Sequence, residues 1–288
     1  MKNSKQRFMF KDLAIRAEFC QLDDQIEQFL AAHDYPPVVQ QLLVETLMCT
    51  VLLTSALKFE GKLSIQAQSQ SMSDIIFVEA THDFTFRGYA RHESQTIDWV
   101  KKGQCVVTIS PNKGQRYQGI VELNSPSMAK NIEQYFAQSE QLPTRLYTYF
   151  DAQKKKAAAL LLQQLPQEIS ISEDDDGWNR IEQLSDTLQE KEALSWDTAT
   201  LIQHLYVEEN VVLFDAQDVR FQCNCSRQKL VDVLRQFPAD ELRGLMNDQK
   251  VIESHCEFCA TVYRFDAVEV EELIQTGIIS DQNEIHEI

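Results

Sequence analysis

Glycine and basic side chains are both scarce in this chain of 288 residues, with eight glycines, and 27 lysines and arginines against 44 aspartates and glutamates. No glycine loop of the Walker type appears, so ATP is not an expected ligand. The net charge of −17 disfavours a phosphate-binding surface, and nucleic acid is not an expected partner. No apolar run is long enough to span a bilayer, and the opening stretch MKNSKQRFMFKDLAIRAEF lacks the unbroken apolar core of a signal peptide. The richest apolar stretch, Val38 to Phe59, is interrupted by Gln40, Gln41 and Glu45 and reads as a buried helix. A cytoplasmic protein without a membrane partner is expected. No Ser, His and Asp spacing marks a catalytic triad, and no enzymatic activity is expected.

The seven cysteines are the informative residues. A reducing cytosol keeps thiols free, so clustered cysteines there point to metal or redox chemistry more than to a disulfide framework. Cys20, Cys49 and Cys105 lie singly in apolar patterns and read as core residues. Cys223 and Cys225, in FQCNCSRQKL, and Cys256 and Cys259, in ESHCEFCATVYRF, form two close pairs within 37 residues. Zn²⁺ takes four tetrahedral ligands, and two such pairs supply four thiolates once the fold brings them together. One zinc per chain is therefore expected at Cys223, Cys225, Cys256 and Cys259. His255 beside the second pair reads as an exposed neighbour, because four thiolates already complete the site. The β-branched and aromatic residues of KVIES and TVYRF place Cys256 and Cys259 in a hairpin. Spacing alone leaves a purely structural zinc open. Two further readings stay open: a thiol-disulfide oxidoreductase, which wants its CxxC at a helix start, and a zinc-ribbon nucleic-acid binder, which the acidic balance disfavours.

Alternation at Leu13, Ile15, Ala17 and Phe19 predicts a strand, followed by a helix capped by Asp23 and ended at Tyr35-Pro36-Pro37. Pro37 suits the first turn of a broad apolar helix carrying Leu42, Leu43, Leu47, Leu53 and Leu57. Period-two patterns then predict strands at Leu63 to Ala67, in IIFVEA and FTFRGYA, and in CVVTIS and RYQGIVEL around a turn at Pro111 to Gly114. Ser127 is a cap for a helix to about Ser139, and LYTYF and AAALLLQQL read as strands. The fold class is α+β, with an N-terminal domain of sheet and helix over residues 1–172.

Residues 173–220 form an acidic helical linker that opens on Glu173 to Asp176. Over residues 168–220 the chain has 14 acidic and 3 basic side chains. Its apolar stripes, Trp178, Ile181, Leu184 and Leu188, then Leu194, Leu201, Ile202 and Leu205, need a partner surface, since short helices are marginal alone. We expect that surface to be the first domain's sheet. Residues 221–288 form a small zinc domain. Between its cysteine pairs Leu230, Val233, Leu234 and Phe237, then Leu242, Leu245 and Met246, are expected to form one helical stripe.

Several stretches in order resemble the redox-regulated heat-shock chaperones known as 33 kDa chaperonins: LLTSALKFEGKLSIQAQ, RYQGIVEL, YFAQSEQLPTRL, LLLQQLP, LYVEENVVLFDAQDVRFQCNCSRQ and HCEFCATVYRF. The CxC before a CxxC is the most specific of these motifs. Ala157, Ala158 and Ala159 stand where members of that family commonly carry paired glycines, and QAQSQS lacks the family's usual glycine. The resemblance implies a holdase for unfolding proteins under oxidative stress, inactive while reduced and zinc-bound. It also implies activation through two disulfides, Cys223–Cys225 and Cys256–Cys259, an unstable linker, and a homodimer on oxidation.

Overall fold

The computed structural model describes residues 3–55, 60–69, 74–93, 103–166, 174, 176–246 and 251–276. By its internal contacts the chain divides into two compact units, Met1–Gln222 and Cys223–Ile288. The fold is mixed α+β.

Unit one begins with β1 (Ser4–Phe10) and β2 (Ile15–Leu22), an antiparallel pair, then α1 (Asp24–Leu30) and α2 (Pro37–Thr54). Asp23 precedes α1 but makes no side-chain cap; its carboxylate lies 3.1 Å from the Lys156 ammonium instead. The opposite charge draws it away from the helix backbone.

Pro37 opens α2 as the fixed φ of proline suits. Against the expectation that no stretch is long and apolar enough to span a bilayer, this helix is so by length and composition, yet 78% of it is buried inside the fold. Apolar residues run all round it because it packs against strands of two sheets. Its buried hydroxyls need internal acceptors. Thr46, Thr50 and Thr54 donate to the carbonyls of Leu42, Thr46 and Thr50, each at 2.7 Å. Buried Glu45 accepts from the Ser127 hydroxyl at 2.6 Å and the Ala129 N–H at 3.1 Å. A carboxylate at the first turn of α3 (Met128–Tyr135) suits that helix's dipole.

The second sheet holds β3 (Gly61–Gln68), β4 (Ile75–Thr81), β5 (Thr85–Arg91), β6 (Gly103–Pro111) and β7 (Tyr117–Leu123). After α3, whose cap is Ser127 as expected, the backbone widens into a π-helical turn, Phe136–Glu140. β8 (Thr144–Asp151) and β9 (Lys156–Gln164) return to the first sheet. There β9 lies between β2 and β8, buried on both faces, which is why AAALLL reads as an unbroken apolar run. Ala157 to Ala159 pair in register with Leu22, Gln21 and Cys20, so the alanines continue a regular strand.

The acidic segment supplies α4 (Gly177–Asp186), α5 (Glu190–Ala193) and α6 (Thr198–Leu205); Glu173 and Asp175 lie outside the described residues. Asp197 caps α6 by accepting from the Thr200 N–H at 2.8 Å, and Gln189 with Glu192 forms a capping box on α5. The chain then adds β10 (Val211–Leu213) and β11 (Gln217–Asp218) antiparallel to β1, and β12 (Arg220–Phe221) parallel to β5. Strand order is β10-β1-β2-β9-β8 in the first sheet and β12-β5-β4-β3-β6-β7 in the second.

The smaller unit contains α7 (Arg227–Leu234), α8 (Ala239–Gly244), the hairpin β13 (Val251–His255) and β14 (Val262–Asp266), and α9 (Ala267–Thr276). Its core is Val231, Leu234, Leu242, Ile252, Phe265, Val270 and Leu273. The single stripe expected from the sequence is broken. Val233 is exposed within α7, and Phe237 and Leu245 are exposed beyond the helix ends, since α7 stops at Leu234 and α8 at Gly244.

Candidate metal centre

Two local structures present the four thiols. Cys223 and Cys225 lie in an extended stretch that runs into α7, whose cap Ser226 accepts from the Lys229 N–H at 3.3 Å. Cys256 and Cys259 sit on the tight turn between β13 and β14, not at a helix start as a thioredoxin-like motif would. That turn closes through Cys256 N–H to the Thr261 carbonyl, 2.9 Å, and Ala260 N–H to the Cys256 carbonyl, 2.8 Å. Ala260 takes a left-handed φ of 56° to make it.

The four sulfurs lie within 4.8 Å of one another, with Cys223 to Cys256 at 3.7 Å and Cys225 to Cys259 at 3.5 Å. Tetrahedral Zn–S bonds of about 2.3 Å imply sulfur separations of about 3.8 Å, so the arrangement fits one ion of that size and softness. All four thiols are free and half-buried. His255 is not among them. Its exposed ring bonds Glu253 at 2.9 Å, and Glu253 also receives Arg264 at 2.8 Å.

The sulfurs sit in different fields. Burial pushes the Cys223 and Cys256 thiols up, against the backbone N–H of Cys225 on the first and of Phe258 and Cys259 on the second. Burial acts on Cys259 in the same sense, but the Thr261 hydroxyl, its N–H and the neighbouring thiols bring it down to about 7. The Tyr263 hydroxyl donates to Cys225 Sγ at 3.1 Å. Around this centre Arg227 lies 4.2 Å from the Phe265 ring and bonds the Arg264 carbonyl and Glu269, tying α7 to β14 and α9.

Cys20, Cys49 and Cys105 are fully buried elsewhere, as their patterns suggested. Burial pushes Cys20 and Cys105 up to about 12 and Cys49 well above its ordinary value, so they are inert at neutral pH.

The apolar stripes of the acidic segment lie in unit one. Ile181, Leu188, Leu201 and Leu205 are buried in one cluster with Phe8, Phe10, Phe19, Leu160 and Leu162, the face of the first sheet turned away from α2. Trp178, Leu184, Leu194 and Ile202 pack partly buried on its edge. Polar contacts along β8 fasten the same segment, and sequence reading missed them. Arg145 donates to Glu182 at 2.7 Å, the Tyr147 hydroxyl to Asp186 at 2.7 Å, and the Tyr149 hydroxyl to the Leu188 carbonyl at 2.8 Å. Their signal was three polar-tipped residues at period two within TRLYTYF. Tyr263 and Thr261 were missed likewise, because TVYRF was read only for its strand character.

A family model described as Hsp33 protein matches residues 3–266. The 33 kDa chaperonin of Photobacterium profundum is 36% identical over 288 residues, covering 97% of this chain and 98% of that protein. That of Ectopseudomonas mendocina is 38% identical over 283 residues, covering 95% of each. Among solved structures, the 33 kDa chaperonin (heat shock protein 33 homologue) of Thermotoga maritima superposes with a TM-score of 0.81 at 20% identity, over 96% of this chain and 99% of that one. At that identity the likeness speaks to fold.

Proposed function

Because the chain belongs to the Hsp33 family of chaperones, we propose that it is an ATP-independent, redox-regulated holdase, a binding protein rather than an enzyme, that acts in the cytoplasm. The observation that carries this reading is the convergence of four free thiols on one point in a module with little core of its own. Cys223, Cys225, Cys256 and Cys259 would hold one zinc in the reduced protein. A bound zinc supplies cross-linking of the CxC stretch to the hairpin, and in small peptides such binding amounts to about 10–16 kcal/mol of folding free energy.

Thiolates are both ligands and nucleophiles, so an oxidant that reaches the site removes ligands as it forms disulfides. We assign the disulfides to near neighbours, Cys223 with Cys225 and Cys256 with Cys259. With the cross-link gone, the small module loses most of its stability. Only β10, β11 and β12 separate it along the chain from α4 to α6, and these are short edge pairings on β1 and β5. Unfolding that reaches α4 to α6 bares Trp178, Ile181, Leu184, Leu188, Leu201, Ile202 and Leu205, together with the aromatic face beneath them. An apolar surface of that kind binds unfolded chains and pairs two copies of the protein.

Light scattering of a thermally unfolding client tests the reading. Peroxide-treated protein is expected to suppress aggregation and the reduced protein to leave it unchanged, with no dependence on ATP. Equal behaviour of the two forms would sink redox control. Metal analysis of single Cys→Ser variants is expected to show weakened zinc retention at positions 223, 225, 256 and 259. Variants of Cys20, Cys49 and Cys105 are expected to keep the metal.

A further inference from the structure

The four sulfurs are not equivalent in what donates to them. The Tyr263 hydroxyl reaches back 38 residues in sequence to donate to Cys225 Sγ at 3.1 Å. The Thr261 hydroxyl lies 3.1 Å from Cys259 Sγ. A metal-bound thiolate carries no proton, so there the hydroxyl is the donor. One sulfur of each close pair thus has a side-chain O–H, on Cys259 beside the Thr261 N–H, whereas the donors on Cys223 and Cys256 are backbone N–H groups alone.

A hydroxyl bonded to a thiolate occupies one of the lone pairs through which sulfur attacks an electrophile, and such charge-assisted bonds are the strong ones. Donors of this kind behind metal ligands tune both orientation and reactivity. We propose that Tyr263 is a positioning residue that restrains oxidation of the centre: its phenol keeps Cys225 from attacking first and leaves Cys223 as the attacking sulfur, while Thr261 does the same to Cys259 in favour of Cys256. This rests on the reading that the four thiolates hold zinc and are oxidised in pairs.

With a hydroperoxide as oxidant, the Cys223 thiolate attacks one peroxide oxygen. The S–O bond forms, the O–O bond breaks and hydroxide leaves, giving a sulfenic acid. The Cys225 thiolate then attacks that sulfur, the S–S bond forms, the S–O bond breaks and a second hydroxide leaves. Two thiolates lose two electrons and the peroxide gains them. Tyr263 acts on the order and rate of these events. The phenol also exists as a donor only while β14 lies beside the CxC stretch, so disturbing the hairpin frees Cys225 at once.

The test uses the full-length protein and Tyr263→Phe, which keeps the ring and deletes the hydroxyl. In the cobalt-loaded protein the sulfur-to-cobalt charge-transfer band is expected to move to lower energy, since the sulfur lone pairs are no longer drawn down. In the zinc-loaded protein, release to a chromogenic chelator under peroxide is expected to accelerate about tenfold, equivalent to about 1.4 kcal/mol of barrier. Brief peroxide exposure with a sulfenic-acid trap should label Cys223 and Cys256 in the parent, and Cys225 as well in Tyr263→Phe. A band and release rate unchanged from the parent would overturn the proposal. If the parent itself keeps its zinc under peroxide, the oxidation reading fails instead. Should Tyr263→Phe not bind cobalt tetrahedrally, Thr261→Val decides: it must extend labelling to Cys259, and labelling confined to Cys223 and Cys256 overturns the proposal.

Discussion

The hydroxyls of Tyr206 and Ser185 lie 2.6 Å apart in an enclosed seam where the end of α6 meets α4, both side chains almost wholly buried. Ser185 spends its own proton on the Ile181 carbonyl at 2.6 Å, so Tyr206 is the donor between the two. The Tyr206 ring packs 5.0 Å from Phe10 and 5.9 Å from Phe8. One residue thus joins α4 and the end of α6 to β1.

Tyr206→Phe keeps the ring contacts and removes one buried hydrogen bond, a loss of about 1 kcal/mol. Native-state hydrogen exchange is expected to show the opening free energy of α4 and α6 falling by that amount while β2 and β9 are unchanged. An equal fall in all four would mean that the segment does not open separately from the sheet.

Ile181→Glu places a carboxylate where the parent side chain is fully enclosed among aromatic and aliphatic neighbours. Burying that charge costs several kcal/mol, so the segment leaves the sheet. Rapid exchange of α4 to α6 and partial holdase activity without oxidant are expected. A reduced variant that exchanges rapidly yet remains inactive would show that exposure of the segment is not the switch.

Burial raises Cys20 and Cys105 to about 12 and Cys49 also upward. The unfolded chain ionises these thiols near their ordinary value of about 8.5, before the folded chain does. Their contribution to stability is therefore complete below about pH 8.5 and declines above it by about 1.4 kcal/mol per pH unit per thiol, until the folded thiols ionise near 12. Urea unfolding between pH 8 and 10 is expected to show this loss, with a shallower slope in Cys105→Ala. Identical slopes in parent and variant would remove the thiol from the account.

Ala260 holds φ at 56° on the cysteine turn, a conformation that costs a residue with a Cβ about 1–2 kcal/mol. Ala260→Gly relieves it, offset by the greater freedom of glycine in the unfolded chain. Zinc competition is expected to give severalfold tighter retention in Ala260→Gly and weaker retention in Ala260→Val. Weaker retention in the glycine variant would show that the turn stores no strain.

Much of this protein is legible from local sequence. The spacing of Cys223, Cys225, Cys256 and Cys259 identified the metal ligands' candidates, because paired thiols need only a turn or an extended step to face one point. Period-two patterns gave β2 to β7, since strand alternation is a property of neighbours along the chain, and LYTYF and the apolar run AAALLLQQL gave β8 and β9. Other features depend on which face meets which. Arg145, Tyr147 and Tyr149 bond α4 and Leu188 only because β8 closes the edge of a sheet whose outer face the acidic segment covers. Phe237 and Leu245 fit a helical stripe on paper and stand exposed, because the helices end before them, and Val233 stands exposed within α7. Tyr263 meets Cys225 across 38 residues through the packing of a hairpin on an extended stretch. Chain-neighbour chemistry determined the elements and the cysteine set; the pairing of faces, decided by where helices stop and sheets close, belongs to the tertiary structure because no local period encodes it.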